Sequence, residues 1–190
     1  MNTMAAPHHG RPRFWRRAIA FLLDGVVLSA VGFVLLWLAA LVLGPAVRIE
    51  LKETQAPAVS VDSWRSVLNA MLLAGLSAVY FVVSWTQLRS SPGQAVLGIG
   101  VADAAGHGSA RLSTARALRR WALLGAPLGV AGAATVEAPL AFLIVSVLSA
   151  GWFAALLLTT LLNRSGRGLQ DRLSGSKVIT LEKHGTAPRK

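Results

Sequence analysis

Between Val67 and Leu88 the chain runs for 22 residues without a charged side chain. A helix rises about 1.5 Å per residue and satisfies its backbone groups internally, so about 20 apolar residues cross a hydrocarbon core of about 30 Å. A run of this length and purity commits the chain to a bilayer. Two comparable runs flank it: 26 residues from Ala18 to Leu43 and 25 from Ala138 to Leu162. A fourth run, Trp121 to Val136, has 16 residues. As a helix it would reach only about 24 Å, so length alone leaves it open between a crossing and a re-entrant segment. The first run is too long for the 7–15-residue core of a cleaved signal, and it contains Asp24. It reads as a retained membrane helix.

Charge decides the fourth run. Hydrophobic residues make up 54% of the chain and charged residues 14%, yet the formal net charge is +11. A nucleic-acid binder is basic but not this apolar, so the basicity reads as orientation on an anionic membrane surface. Four arginines precede the first run (Arg11, Arg13, Arg16, Arg17), five lie between the second and third (Arg89, Arg111, Arg116, Arg119, Arg120), and seven basic residues follow the last. Lys and Arg concentrate in cytoplasmic segments. Four crossings place sixteen of the 19 basic residues on that side and leave only Arg48, Lys52 and Arg65 opposite. Three crossings would put the seven-charge tail on the wrong side. Trp15, Trp64, Trp85 and Trp121 fall at the ends of these segments, where interfaces favour an amphipathic ring.

The expected fold is therefore an all-α membrane protein. It is a four-helix transmembrane bundle with both termini cytoplasmic, in a bacterial plasma (inner) membrane. Residues 1–17 form a basic cytoplasmic N-terminus. Residues 18–162 form the membrane domain, with helices at about 18–43, 67–88, 121–136 and 138–162. Residues 163–190 form a basic tail. Ser90-Ser91-Pro92-Gly93 breaks the second helix, and Val96 to Val101 reads as a short strand. Ser113 suits an N-cap for a short surface helix, and Lys177 to Leu181 is strand-like, so a small cytoplasmic β pair is expected.

Few residues could carry chemistry. Asp24 lies seven residues beyond Arg17, about 10 Å along the axis and on the same helix face. An intramembrane carboxylate costs about 2–3 kcal/mol to insert and must face protein or water. It reads either as a proton or cation site or as a buried ion pair or hydrogen bond that fixes helix packing. Asp171 follows the last helix among Gly166, Gly168 and Arg172. Arg116, Arg119 and Arg120 share one side of the surface helix, with Arg116 and Arg119 expected to meet lipid. His8, His9, His107 and His184 lack metal-ligand spacing, and the chain has no cysteine. Neither a cofactor, a metal, a nucleic-acid partner nor an enzymatic constellation is expected.

These pieces assemble into a resemblance. Phe14-Trp15-Arg16-Arg17-Ala18-Ile19-Ala20-Phe21-Leu22-Leu23-Asp24, then Ser91 to Asp103 with Ala117-Leu118-Arg119-Arg120, then Asn163 to Val178 resemble, in order, three motifs of the RDD family of small bacterial membrane proteins. The family is named for one arginine and two aspartates. The resemblance implies that Arg17, Asp24 and Asp171 form a characteristic polar cluster, with Arg16, Arg120, Asn163 and Arg167 in support. This chain carries Gln94 where the family often has lysine. Two functions stay open. One is a small transporter or cation/proton exchanger acting through the cluster. The other is a non-catalytic membrane scaffold or partner subunit in which the cluster is a clamp. Anionic lipid on the cytoplasmic side, a second copy of the chain or a membrane partner protein are the expected partners.

Overall fold

The computed structural model describes residues 14–50, 58–105, 111–134, 139–163 and 167–181. The four histidines, Arg11, Arg13, Lys52 and the ends of the chain lie outside these residues.

Helix α1 spans Phe14–Leu43. It begins before Ala18, so the arginine-bearing approach to the membrane is itself helical. It stops at Gly44, whose φ of +82° is open to glycine without a Cβ clash, and whose N–H closes the last turn on Ala40 O at 2.9 Å. The polar stretch that follows holds two unforeseen strands, β1 (Val47–Glu50) and β2 (Ala58–Val61), paired antiparallel. Asp62 then caps helix α2 (Ser63–Val83), its Oδ1 accepting from Arg65 N–H at 3.0 Å.

A π-helical turn, Ser84–Leu88, extends α2, and Arg89 ends it with φ of 63°. The second helix breaks before Ser90-Ser91-Pro92-Gly93 as expected, and Pro92 also starts a short helix, α3 (Pro92–Val96). Proline at the first helical position costs no backbone hydrogen bond, and Gln94 Oε1 accepts the Ser91 N–H at 3.0 Å. Strand β3 accordingly starts later than expected, at Ile99–Asp103. Helix α4 (Thr114–Ala134) joins the expected surface helix and the start of the short third segment into one continuous element. Helix α5 spans Pro139–Leu162; a short α6 (Leu169–Leu173) and β4 (Ser176–Thr180) complete the order. β4 pairs antiparallel with β3, Val101 opposite Val178, so the tail folds back onto the connector.

Among the described residues three helices are long and apolar enough to cross a membrane: Phe14–Leu43, Ser63–Leu88 and Leu143–Leu162. The helices pack in series: α1 against α2 and α3, α2 against α4, and α4 against α5. The compact core lies at one end, where Trp85, Val101, Leu112 and Ala117 bury one another beside Phe81 and Trp121. Trp85 therefore does not sit at an interface as expected: it is 1% exposed, stacked on Phe81, and donates Nε1–H to Gln94 Oε1 at 3.2 Å. Trp121 is half-buried and donates to Ser77 Oγ at 3.0 Å. Trp15 and Trp64 are exposed, as an interfacial ring requires.

Candidate functional site

Two buried acids lie at this packed end, and their surroundings differ. Asp24 projects from the second turn of α1 beyond Arg17 and is 1% exposed. Its Oδ1 accepts from the Tyr80 hydroxyl and from the Gly93 N–H, each at 2.8 Å. Its Oδ2 accepts from the Ser91 hydroxyl at 2.5 Å. All three donors are neutral. They come from α2 and the start of α3, so the socket exists only because α3 is pressed onto α1. A Cβ at position 93 would lie 2.4 Å from Ala20 O and 2.9 Å from Asp24 Oδ1, so glycine is what permits the approach.

Asp171 is fully buried and held by charge. Arg17 Nη1 donates to its Oδ2 at 3.1 Å, Arg120 Nη1 donates to its Oδ1, and the Gly168 N–H donates to Oδ2 at 3.2 Å. The last bond caps α6 from within. Arg120 is buried too; it also reaches Ser176 Oγ at 2.5 Å and lies over the Trp85 ring, 5.3 Å from its centroid. One carboxylate thus joins α1, α4 and the tail. Trp85 bridges the two sites, touching Arg120 on one side and Gln94, next to the Asp24 socket, on the other.

The expected cluster is divided by this geometry. Arg17 and Asp171 meet, with Arg120 as a second cation of equal standing. Arg17, expected beside Asp24, is drawn instead to Asp171, which folding of the tail brings to the start of α1; seven residues of helix separate it from Asp24 by about 10 Å. Asn163 and Arg167 organise the tail: Asn163 Nδ2 donates to Arg167 O at 2.5 Å, and Arg167 Nη2 to Ser176 O at 3.4 Å. Arg16 and Arg119 are exposed. Arg116, expected to meet lipid, is half-buried and paired with Asp103, because the turn after β3 brings that acid to the first turn of α4.

Arg17 and Asp24 stand on the first of the three motifs, Arg120 on the second and Asp171 on the third. Residues 11–175 match the RDD family. The chain belongs to the RDD family. No curated protein and no solved structure matches it.

Within this RDD protein the sequence reading passed over Tyr80, Ser91, Gly93 and Trp85 as site residues. Ser91-Pro92-Gly93-Gln94 carried the available signal, since Ser-x-x-Gln with proline at the first position is a helix-start signature. Tyr80 carried none, because one hydroxyl inside an apolar helix reads as packing. Gln94 also gains a meaning. Its Oε1 accepts from both Trp85 and the Ser91 N–H, and the lysine common in the family has no acceptor to offer.

Proposed function

We propose that this protein is a small, non-enzymatic transporter that exchanges a proton, against a cation, at Asp24. The supporting observation is the contrast between the acids. Asp171 is matched by two guanidinium groups and reads as a fixed clamp, whereas Asp24 sits inside an apolar helix and, among the described residues, accepts from neutral donors only. A carboxylate placed there at a desolvation cost is retained for use more often than for packing. The chemistry of the socket tolerates both protonation states. Hydroxyl groups donate or accept, so a proton added at Oδ2 would be met by rotation of the Ser91 hydroxyl, while the Gly93 N–H continues to hold Oδ1.

The reading places the protein in a bacterial plasma membrane with four crossings, α4 included. Support comes from connectivity. The β3–β4 pairing and the Arg120–Asp171 pair hold the end of α2, the start of α4 and the end of α5 at one level. If α5 crosses, α4 must cross back. Four helices packed in series offer few walls for a pathway, so a second copy of the chain completes it in this proposal.

Reconstituted vesicles test the idea. Wild-type protein is expected to dissipate an imposed pH gradient when a monovalent cation is supplied, and Asp24→Asn to do so at the protein-free rate. Equal rates for the two would remove Asp24 from the mechanism. The exposed Arg16, Arg119 and Arg172 favour a second reading, a scaffold docked on anionic lipid or on an acidic membrane partner. That reading expects no flux from the wild type and a reproducible partner in a membrane pull-down.

A further inference from the structure

The end of the molecule remote from the clamp carries the β1–β2 hairpin, which the function above does not use. Its register sets Val47 opposite Val61 and Arg48 opposite Ser60. Directly paired residues share a face of a two-stranded sheet, and alternate residues change face. One face therefore bears Val47, Ile49 and Val61, which are 53%, 67% and 39% exposed. The other bears Arg48 and Ser60, both exposed. Arg48 and Ser60 line a cleft of about 400 Å³ together with Pro45, Ala46, Asp62, Arg65 and the edge residue Val61.

The hairpin cannot stray from the helix ends. β1 starts at Val47, shortly after α1 ends at Leu43, and β2 ends at Val61, just before α2 starts at Ser63. Its base is fastened by Asp62 N–H donating to Ala46 O at 2.8 Å and by Arg65 Nη1 donating to Pro45 O at 3.4 Å. The neighbouring helix surface is apolar and uncovered: Leu41, Val42, Leu43 and Trp64 are all exposed. An isolated two-stranded hairpin is marginal in water and needs an apolar face to bury. An amphipathic element at this position does so by lying in the headgroup boundary.

We propose that the hairpin lies on the membrane surface, with Val47, Ile49 and Val61 in the lipid interface and the Arg48 face turned to water and headgroups. The occupant of the apolar face is lipid because that face continues the exposed apolar surface of α1 and α2. The proposal is independent of the role of Asp24.

The chain has no cysteine, so single spin labels report one position each. Full-length protein in phosphatidylcholine/phosphatidylglycerol vesicles would be labelled as Val47→Cys, Arg48→Cys, Ile49→Cys, Ser60→Cys and Val61→Cys. Collisions with oxygen, which partitions into lipid, should dominate at 47, 49 and 61. Collisions with a water-soluble nickel chelate should dominate at 48 and 60. Nickel access at all five positions would overturn the proposal. Exclusion of both reagents at 47, 49 and 61 would overturn it equally, by assigning the face to a second copy or another protein. The Arg48→Cys, Ser60→Cys double variant should show dipolar broadening between its labels; its absence would refute the strand pairing on which the argument stands.

Discussion

At the residue scale the two buried aspartates make opposite demands. Removing the charge of Asp171 leaves Arg17 and Arg120 facing each other in a dry site, and breaking a buried pair in this way costs about 3–5 kcal/mol. Asp24→Asn keeps an oxygen for Tyr80 and Gly93 and turns an amide toward a hydroxyl that can accept it, a loss of about 1 kcal/mol. Thermal melts in detergent should therefore rank Asp171→Asn well below Asp24→Asn, with Asp24→Asn folded yet without flux. A melt for Asp24→Asn as low as that of Asp171→Asn would make both acids structural. Asp24 is conspicuous in the sequence as a charge inside a long apolar run, whereas Asp171 joins it and Arg17 only through the resemblance to the RDD motifs. The sequence did not reveal how they pair. Same-face spacing favoured Arg17 with Asp24, and only the return of the tail supplies the competitor that wins Arg17.

At the element scale the decisive piece is α3, five residues that no hydrophobic period announces. Its position follows from three local events: the π-turn that ends α2, the left-handed Arg89, and the Ser91-Pro92 helix start. Only the last was visible in the sequence, because a π-turn has no compositional mark. α3 delivers two of the three donors to Asp24, so the socket is only as stable as its seat on α1. Gly93→Ala tests that seat. The added methyl meets the backbone carbonyl of Ala20, which cannot rotate away, so α3 must lift. The expected result is a stability loss of about 1–3 kcal/mol, together with faster modification of residue 24 by a hydrophobic carbodiimide, read by mass spectrometry. An unchanged modification rate would place the strain elsewhere.

At the scale of the whole molecule, hydropathy and charge placement made the long helices legible, and two strand-like patches made a small β pair an expectation, though not its register or the start of β3. What unites the two patches is long-range: a connector and a tail separated by two helices pair at one end of the protein. This pairing bears on topology independently of charge. Arg17 on α1, Arg120 on α4 and Asp171 in the tail share one cluster, so the start of α1, the start of α4 and the end of α5 belong on one side in the proposed arrangement. In that proposed arrangement the loop charges favour the cytoplasm for this side, since sixteen of 19 Lys and Arg lie in the segments it gathers. The two arguments share Arg17 and Arg120, but one rests on a contact within the fold and the other on charge distribution across the bilayer, and both require an even number of crossings between connector and tail. Single cysteines in the cysteine-free chain test them together. Ser60→Cys should react with a membrane-impermeant maleimide on intact cells. Ala105→Cys in the connector and Arg172→Cys in the tail, both exposed positions, should react only after permeabilisation. Labelling of position 172 but not 105 on intact cells would mean that α4 does not cross, and the clamp would then have to form across the bilayer, which the Arg120–Asp171 contact forbids.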